Sequence, residues 1–409
     1  MILAYPCHAA TVIHQSSNTN SQGASVTNYS RLHSNDSVHL STTEADRNSV
    51  WRSAGTLSNL YIRILLNDRA ASTFRTRKGT ANANLVVSIT GSTTGKFEDT
   101  SNTDAVTAGD NWHVAIITGA GGTVFAWHVY NVLFAATTNT VQRMGCNFTD
   151  VTLASTTSFS PFYGHSATPQ STESNVGMTL RTAGTLRNFV IFVNGNSRTT
   201  TSTGRSRKNN ANGNQSVSIG ASATGTFEDT TNSDTVTSGN VINWSITTGA
   251  GTELLAINWT VVEFETTNGN HQYVAGEAAG VSQNANVTNY IIFSGRYTTN
   301  TAESNVIAET NLAFTASLLQ CNISANTVTA ASTLTLRIDS GAGANQTVSI
   351  TASTTGIFQD TVNTDLIVAS NTLDYLLVTG ATGTSLVIRS ISMLGDSTVA
   401  SARRVGLAS

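Results

Sequence analysis

Apolar and polar residues alternate over short runs of this chain, and clusters of Gly, Asn, Thr and Asp separate the runs. This spacing of two places successive side chains on opposite faces of a β-strand. Helix-length patterns, with apolar residues three and four positions apart, are very rare. Clear strand-like runs in the first third of the chain are NLYIRILL, LVVSIT, WHVAIIT and VFAWHVYNVLF. The pattern predicts an all-β protein built from antiparallel strands.

Two of these runs indicate which residues face a core. Trp112, Val114 and Ile116 share one face of a strand, and the same face is apolar in two later versions of the run: Ile242, Trp244, Ile246, Leu373, Tyr375 and Leu377. The positions between them include His113, Asn243, Ser245 and Asp374, so we expect the opposite face to be partly wet. In the last run, the pattern predicts inward-facing side chains at Phe125, Trp127, Val129, Leu255, Ile257 and Trp259. The third version slips after Leu386 and Ile388, which indicates a bulge there.

One polar segment occurs three times. TGKFEDTSNTD at 94–104 recurs as TGTFEDTTNSD at 224–234 and as TGIFQDTVNTD at 355–365. Other residues repeat at nearly the same interval, namely Glu44, Glu173 and Glu303, and Arg77, Arg207 and Arg337. A period of about 130 residues is too long for a solenoid unit and fits a whole domain.

About eight strands in each period predict a β-sandwich of jelly-roll type. We predict repeat 1 at 1–135, including an N-terminal docking segment, repeat 2 at 136–265, repeat 3 at 266–395, and a C-terminal docking strand at 396–409. VQRMG at 141–145 recurs as HQYVAG at 271–276 and as ARRVG at 402–406. The tail therefore has the sequence of an opening strand of an absent fourth copy, and we expect it to pair with a neighbouring domain or subunit.

Composition narrows the class of function. Charged residues make up 11% of the 409 residues, the hydrophobic share is 39% and the net charge is -3. A near-neutral chain without a basic stripe is not expected to bind nucleic acid. No apolar run approaches the ~20 residues of a membrane span, and the N-terminus lacks the features of a signal peptide. We expect such a chain to leave its cell by lysis rather than by secretion, and we expect no membrane association.

The repeated segment offers candidate ligands for a hard cation. Clustered carboxylates suit Ca²⁺, and the candidates are Glu98, Asp99, Asp104, Glu228, Asp229 and Asp234. In repeat 3, Gln359 replaces the glutamate. The alternative is that Phe97 fills the core while the aspartates bond to the backbone of a turn. The ligand spacing of known calcium loops is absent, so we favour a role in the scaffold.

No motif of an enzyme stands out. A glycosidase needs two carboxyl groups in one cleft, but the same acids occur in three equal copies. TGAGGT lies between two strands and predicts a hairpin turn rather than a phosphate-binding loop. The three cysteines, Cys7, Cys146 and Cys321, fit neither a disulfide framework nor a zinc site. We expect no catalytic activity and no cofactor.

Tryptophans and basic residues are the remaining candidates for binding. Alternation favours a core position over a sugar-stacking platform for Trp112, Trp127, Trp244 and Trp259, whereas the role of Trp51 stays open. A small basic cluster, Arg75, Arg77 and Lys78, recurs as Arg205, Arg207 and Lys208. It can dock an acidic partner or form a solvated face.

Several motifs are similar to those of a known class of protein. AGTLSNL, TRKG, VVSITGSTTGKFEDTSNTDAVTAGD and TGAGGT resemble the tandem Thr/Asn-rich β-sandwich domains of virion proteins of tailed bacteriophages. These include capsid decoration proteins, head fibres and tail appendages. The resemblance covers residues from about 25 to 395 and departs in repeat 3, which has ASLLQCN in place of AGTLSNL.

The resemblance implies a non-enzymatic structural protein of a phage particle. Its expected site is the virion, as a capsid decoration, cement or head-surface protein, after synthesis in the host cytoplasm and release by lysis. Its partners would be the major capsid protein or neighbouring subunits, either as a homotrimer or as a single chain that mimics one. The alternative is a tail-associated adhesin that binds a host glycan. An adhesin would carry one domain with extra aromatic residues in its loops, and no repeat here clearly does.

Overall fold

The computed structural model describes residues 11–17, 22–32, 40–148, 155–166, 169–251, 254–293, 295–296, 299–341 and 345–397. Its elements are β-strands and three short 3-10 turns at Glu44–Arg47, Glu173–Asn175 and Glu303–Asn305. The all-β prediction is confirmed. The predicted docking strand lies almost entirely outside the described residues, because the description ends at residue 397.

Each repeat contributes its own set of strands. Repeat 1 holds β1 Thr11–Ser17, β2 Thr27–Ser30, β3 Ser49–Val50, β4 Gly55–Asn67, β5 Ser72–Lys78, β6 Ala81–Ile89, β7 Gly95–Val106, β8 Asn111–Ile117 and β9 Phe125–Ala136. Repeat 2 holds β10 Val141–Phe148, β11 Thr157–Ser160, β12 Gly164–Ser166, β13 Met178–Thr179, β14 Gly184–Asn196, β15 Ser202–Lys208, β16 Ala211–Ile219, β17 Gly225–Val236, β18 Val241–Thr247 and β19 Leu255–Thr266. Repeat 3 holds β20 His271–Asn284, β21 Thr288–Ile292, β22 Gly295–Arg296, β23 Thr299–Asn300, β24 Ala308–Glu309, β25 Phe314–Asn326, β26 Ser332–Ile338, β27 Thr347–Ile350, β28 Gly356–Gln359, β29 Thr364–Ile367, β30 Thr372–Val378 and β31 Ser385–Asp396.

The strand order defines a jelly roll. In repeat 1 one sheet has the order β1-β9-β4-β7 and the other the order β2-β8-β5-β6, with the short β3 also on β8. Numbered within the repeat, the eight main strands run 1-8-3-6 and 2-7-4-5, which is the pattern of two sheets joined by Greek-key connections. Repeats 2 and 3 have the same order, and their first strands β10 and β20 gain short parallel partners, β12 and β22. The predicted jelly-roll sandwich is confirmed.

The strand before each sandwich belongs to that sandwich. β1 pairs with β9, β10 with β19, and β20 with β31, each antiparallel. The expected N-terminal docking segment is therefore, over its described residues Thr11–Ser17, an edge strand of repeat 1. The last strands of the three repeats end at Ala136, Thr266 and Asp396, one residue beyond each predicted limit.

The apolar face predicted for the run at 112–116 is correct. All nine residues on that face are buried in the cores of their repeats. The expectation that the opposite face is partly wet is wrong: Ser245 is 4% exposed, and His113, Asn243 and Asp374 are all 0% exposed. In each repeat, the segment that contains the 3-10 turn covers the position held by His113, Asn243 or Asp374, because the glutamate of that segment contacts this residue.

The last strand departs from regular alternation in all three repeats, which confirms the bulge predicted after Ile388 in repeat 3 and adds two that the pattern did not predict. Trp127 pairs with Ile64 of β4 and Val129 pairs with the adjacent Arg63. β9 therefore has two residues where β4 has one, and His128 is the extra residue. Asn258 and Arg389 hold the same position in β19 and β31. A bulge reverses the faces of the residues that follow it. The prediction that Val129 and Trp259 point into their own cores is therefore wrong.

Candidate functional site

The aspartates of the repeated segment hold the main chain together. The segment is not a free loop but strand β7, whose residues 100–102 bulge out opposite Asn59. Asp99 accepts hydrogen bonds from the backbone N of Val86 (2.8 Å) and of Ser101 (3.1 Å). Asp104 accepts from Asn84 N (2.6 Å) and from Thr76 Oγ1 (2.5 Å). These carboxylates therefore join β7 to the strands of the opposite sheet.

The second repeat has the same arrangement. Asp229 accepts from Ser216 N (2.8 Å) and Asn232 N (2.9 Å), and Asp234 accepts from Asn214 N (2.6 Å). Burial opposes ionisation of Asp229, but these backbone donors prevail and lower its pKa to about 2. A carboxylate engaged in this way has fewer lone pairs for a cation.

The glutamates of the segment are engaged with cations of the protein itself. Glu98 pairs with Lys96 at 3.0 Å, and Glu228 pairs with Arg52 of repeat 1. Within the described parts of the chain, no cluster of three or more His, Cys, Asp or Glu side chains is placed to hold a metal ion. The six residues considered for Ca²⁺ thus have protein partners.

All five tryptophans are buried. Each of Trp51, Trp112, Trp127, Trp244 and Trp259 is at most 1% exposed. Trp51, whose role the sequence leaves open, packs edge-on against Phe134 and lies 4.7 Å below the guanidinium of Arg143. None of these rings is available as an exposed platform for a sugar.

Several of the basic residues have partners within their own repeat: Lys78 pairs with Asp110 at 2.8 Å, and Lys208 donates to the main-chain oxygen of Thr235 at 3.1 Å. Arg77 bonds to Glu44 (2.7 Å), and Arg207 and Arg337 make the same pair with Glu173 and Glu303 (both 2.6 Å). These pairs join the 3-10 turn to the second sheet in every repeat. The regular spacing of the six residues in the sequence reflects this contact.

A third buried residue lies beside each pair and differs between repeats. His113 Nε2 lies 2.9 Å from Glu44, and Asn243 donates to Glu173 at 3.2 Å. At the same position in repeat 3, Asp374 lies beside Glu303. Burial, reinforced by the charge of Glu303, raises the pKa of Asp374 to about 8. Repeat 3 therefore places a second buried carboxyl group where repeat 2 holds an amide.

The three repeats contact one another in a closed cycle. The short strands β3, β13 and β24 end at Val50, Thr179 and Glu309, and each end is placed against the first sheet of another repeat. Val50 packs on repeat 2, Thr179 faces repeat 3 across a cleft beside the bond from Arg181 to Gln320, and Glu309 bonds to repeat 1. One chain therefore forms a ring of three jelly rolls. We call the three contacts interfaces 1/2, 2/3 and 3/1.

Interface 1/2 is apolar and contains buried cations. Val50 packs with Val190, Val261 and Trp259, the residue turned outward by the bulge. Arg31 of repeat 1 lies 5.4 Å from the centre of the Trp259 ring and bonds to the bulge residue Asn258 at 2.6 Å. Burial lowers the pKa of Arg31 well below its usual value. The bulge thus supplies both the ring and the amide that meet repeat 1.

A buried carboxylate completes interface 1/2. Glu263 is 1% exposed and accepts from Arg52 N (3.0 Å) and Ser53 Oγ (2.9 Å) of repeat 1. Arg143 lies 3.5 Å from it, is equally buried, and donates to Val50 O at 2.7 Å. Buried ions of this kind need several partners to offset desolvation, and Glu263 has them from both repeats.

Interfaces 3/1 and 2/3 use other chemistry. At 3/1, Lys96 pairs with Glu309, whose main-chain oxygen accepts from Asn131 Nδ2 at 3.0 Å. Tyr61 joins the apolar cluster of repeat 3, and burial raises its pKa to about 12. At 2/3, Arg181 donates to the amide oxygen of Gln320 at 2.6 Å. The three contacts are therefore equivalent in position but different in kind.

Comparisons with known proteins leave the family of this chain open. No protein-family model matches it, and no curated protein matches it. A chain in the solved structure titled "Life in the extremes: atomic structure of Sulfolobus Turreted Icosahedral Virus" matches with 13% identity, over 84% of this chain and 79% of that chain, at a TM-score of 0.18. A score this low carries no argument about fold or function. No helix among the described residues has the length and apolar character needed to cross a membrane.

Proposed function

We propose that this chain is a non-enzymatic structural protein of a phage particle that decorates the capsid surface. The observation that supports this role best is the closed ring of three jelly rolls. Three equal modules held by buried contacts make a compact body, and repetition of the same surface suits attachment more than catalysis. The resemblance of its motifs to the sandwich domains of phage virion proteins supports the same role.

The ring also indicates what kind of partner the protein binds. A chain with three similar modules in a cycle presents similar surfaces three times, and such a body gains avidity from a target that repeats in the same way. We therefore propose attachment at three-fold or quasi-three-fold positions of a capsid. One chain would occupy each position in place of a homotrimer, since its repeats already fill the three places. Light scattering should then give a mass near the 42.9 kDa of one chain, and a mass three times larger would contradict this part of the proposal.

The experiment uses particles of the virus that encodes this chain. We expect the chain in gradient-purified particles, at a fixed number of copies given by quantitative mass spectrometry. Particles made without the gene should rebind the added protein until that number is reached. If purified particles lack the chain and do not bind it, the virion role is wrong. Release of reducing ends from host surface polysaccharides by the pure protein would contradict the non-enzymatic role.

A further inference from the structure

Interface 2/3 contains a cleft between repeats 2 and 3. It has a volume of about 360 Å³ and is lined by side chains of repeats 2 and 3, among them Ser174, Thr179, Asn209, Asn210, Asn322 and Ile357. This size is within the range of small-molecule sites. The lining combines these amide and hydroxyl groups with Gly177 and two aliphatic side chains, Val241 and the exposed Ile357.

The cleft is open because the residues that fill this place elsewhere are absent. Asn322 has Phe192 as its equivalent in repeat 2, and Phe192 packs against the apolar cluster around Val50 at interface 1/2. Ile357 has Lys96 as its equivalent in repeat 1, which pairs with Glu309 at interface 3/1. At interface 2/3, Asn322 and Ile357 occupy these two places, and the small Thr179 lies opposite them. The space between the repeats therefore stays open.

The chemistry of the lining selects a class of ligand. Amides and hydroxyls both donate and accept hydrogen bonds, which suits a ligand that carries many hydroxyl groups. Ile357 is 49% exposed and offers an apolar contact for the C–H face of a ring. The lining contains no charged side chain, so neither a phosphate nor a carboxylate would find a counter-ion in it.

Local bonds hold part of this lining in place. Asn209 accepts a hydrogen bond from Val241 N at 2.8 Å through Oδ1, which fixes the orientation of its amide. Arg207 donates to the main-chain oxygen of Asn210 at 2.6 Å. A site fixed before binding loses less entropy when a ligand arrives. We propose that this cleft binds a neutral sugar unit, a function independent of the virion role.

The test is ligand-observed NMR on the full chain. The probes are glucose, galactose, mannose, N-acetylglucosamine and N-acetylgalactosamine, each up to about 50 mM, well above a dissociation constant on the order of 1 mM. N-acetylneuraminic acid and inorganic sulfate serve as charged probes. We expect saturation transfer to at least one neutral sugar and to neither charged probe. Transfer to no neutral sugar, or to a charged probe alone, would overturn the proposal.

Variants locate the binding. Asn322→Phe places in the cleft the residue that repeat 2 carries at this position, and it should reduce transfer at least tenfold. Ile357→Lys introduces the residue of repeat 1 and should do the same. The matched control is Arg63→Phe, which creates the same aromatic residue at the equivalent position outside the cleft and should leave transfer unchanged. Equal loss in the control, or full transfer in both cleft variants with unchanged thermal unfolding, would show that the sugar binds elsewhere.

Discussion

Lys96 of repeat 1 forms an ion pair with Glu309 of repeat 3, although 213 positions separate them in the sequence. Glu309 has only 8% of its side chain exposed, whereas Lys96 keeps a third of its own. This contact closes the cycle of repeats, because repeats 1 and 3 have no short covalent connection. Its loss should therefore affect the ring before it affects any single sandwich.

The first prediction concerns that pair. Lys96→Glu places a carboxylate beside Glu309 and Glu98, and like charges at such a site repel. We expect a loss of about 1–2 kcal/mol in the free energy of unfolding, discounted for the partial exposure of Lys96. Urea unfolding measures it, and the exchange variant Lys96→Glu with Glu309→Lys should recover most of the loss. No difference between the single and the double variant would show that the pair does not hold the ring.

The second prediction compares two tryptophans. Trp244 lies in the core of repeat 2, so Trp244→Ala should cost about 3–5 kcal/mol, the range for a buried large aromatic. Trp259 faces repeat 1, so Trp259→Ala should loosen interface 1/2 while repeat 2 stays folded. Hydrogen exchange should then rise at Val50 and Val190 and stay slow at Ile246. A change spread evenly over the core of repeat 2 would contradict the position of Trp259.

The third prediction concerns the buried carboxyl group of Asp374 in repeat 3. Because the pKa of Asp374 is raised to about 8 in the folded chain, folded Asp374 keeps its proton between pH 4 and pH 8 while the unfolded chain loses it. Its contribution to stability therefore falls as pH rises through this range. Asp374→Asn removes the dependence and should stabilise the protein at pH 8 by about 1–3 kcal/mol.

A natural control exists for this variant. Asn243 already occupies the position in repeat 2 and donates to Glu173, so Asn243→Asp should destabilise at pH 8 and cost less at pH 5. Urea unfolding at both pH values measures the two changes. If Asp374→Asn gives the same stability change at pH 5 and pH 8, the carboxyl group does not titrate in this range.

The fourth prediction concerns the six calcium candidates. Since Asp234 bonds to Asn214 N and Ser206 Oγ, Asp234→Asn should cost about 1–3 kcal/mol through lost acceptors rather than through a lost ion. Addition of Ca²⁺ or of a chelator should leave the unfolding temperature of the natural chain unchanged. A rise of several degrees with Ca²⁺ that disappears in Asp234→Asn would restore the cation site.

Local pattern predicts the sandwich but not the assembly. Alternation places Trp112 and Trp244 correctly, because a strand of regular period leaves little choice of face. Alternation fails at Trp259, because the extra residue Asn258 reverses the direction of the side chains that follow it. The side chain of Asn258 gives no indication of a bulge. The contacts of Trp259 with Val50 and Arg31 join distant parts of the sequence, so no local pattern contains them. The sequence contains one sign of this interface: Trp259 is far more apolar than Ser390, the residue at the equivalent position in repeat 3.

Burial also explains the errors at polar positions. His113 and Asp374 are polar residues on an alternating strand, and such positions normally face water. They lie inside because Glu44 and Glu303 reach over them, each held by an arginine from the neighbouring strand. The constant spacing of these glutamates and arginines in the sequence reflects the ion pair. The third residue beside the pair differs between repeats, so spacing alone does not reveal it.

Because the three interfaces differ, each repeat can contact only its own neighbour, and this fixes the order of the repeats around the ring. The order does not depend on which repeat the chain starts with. A circularly permuted gene that starts with repeat 2 and ends with repeat 1 would keep every contact, provided that a linker joins the old ends. A gene in which repeats 2 and 3 are transposed would set the carboxylate of Glu309 against Val190 and Trp259, and Val50 against Asn322. The chain should tolerate the first rearrangement and fail to close after the second.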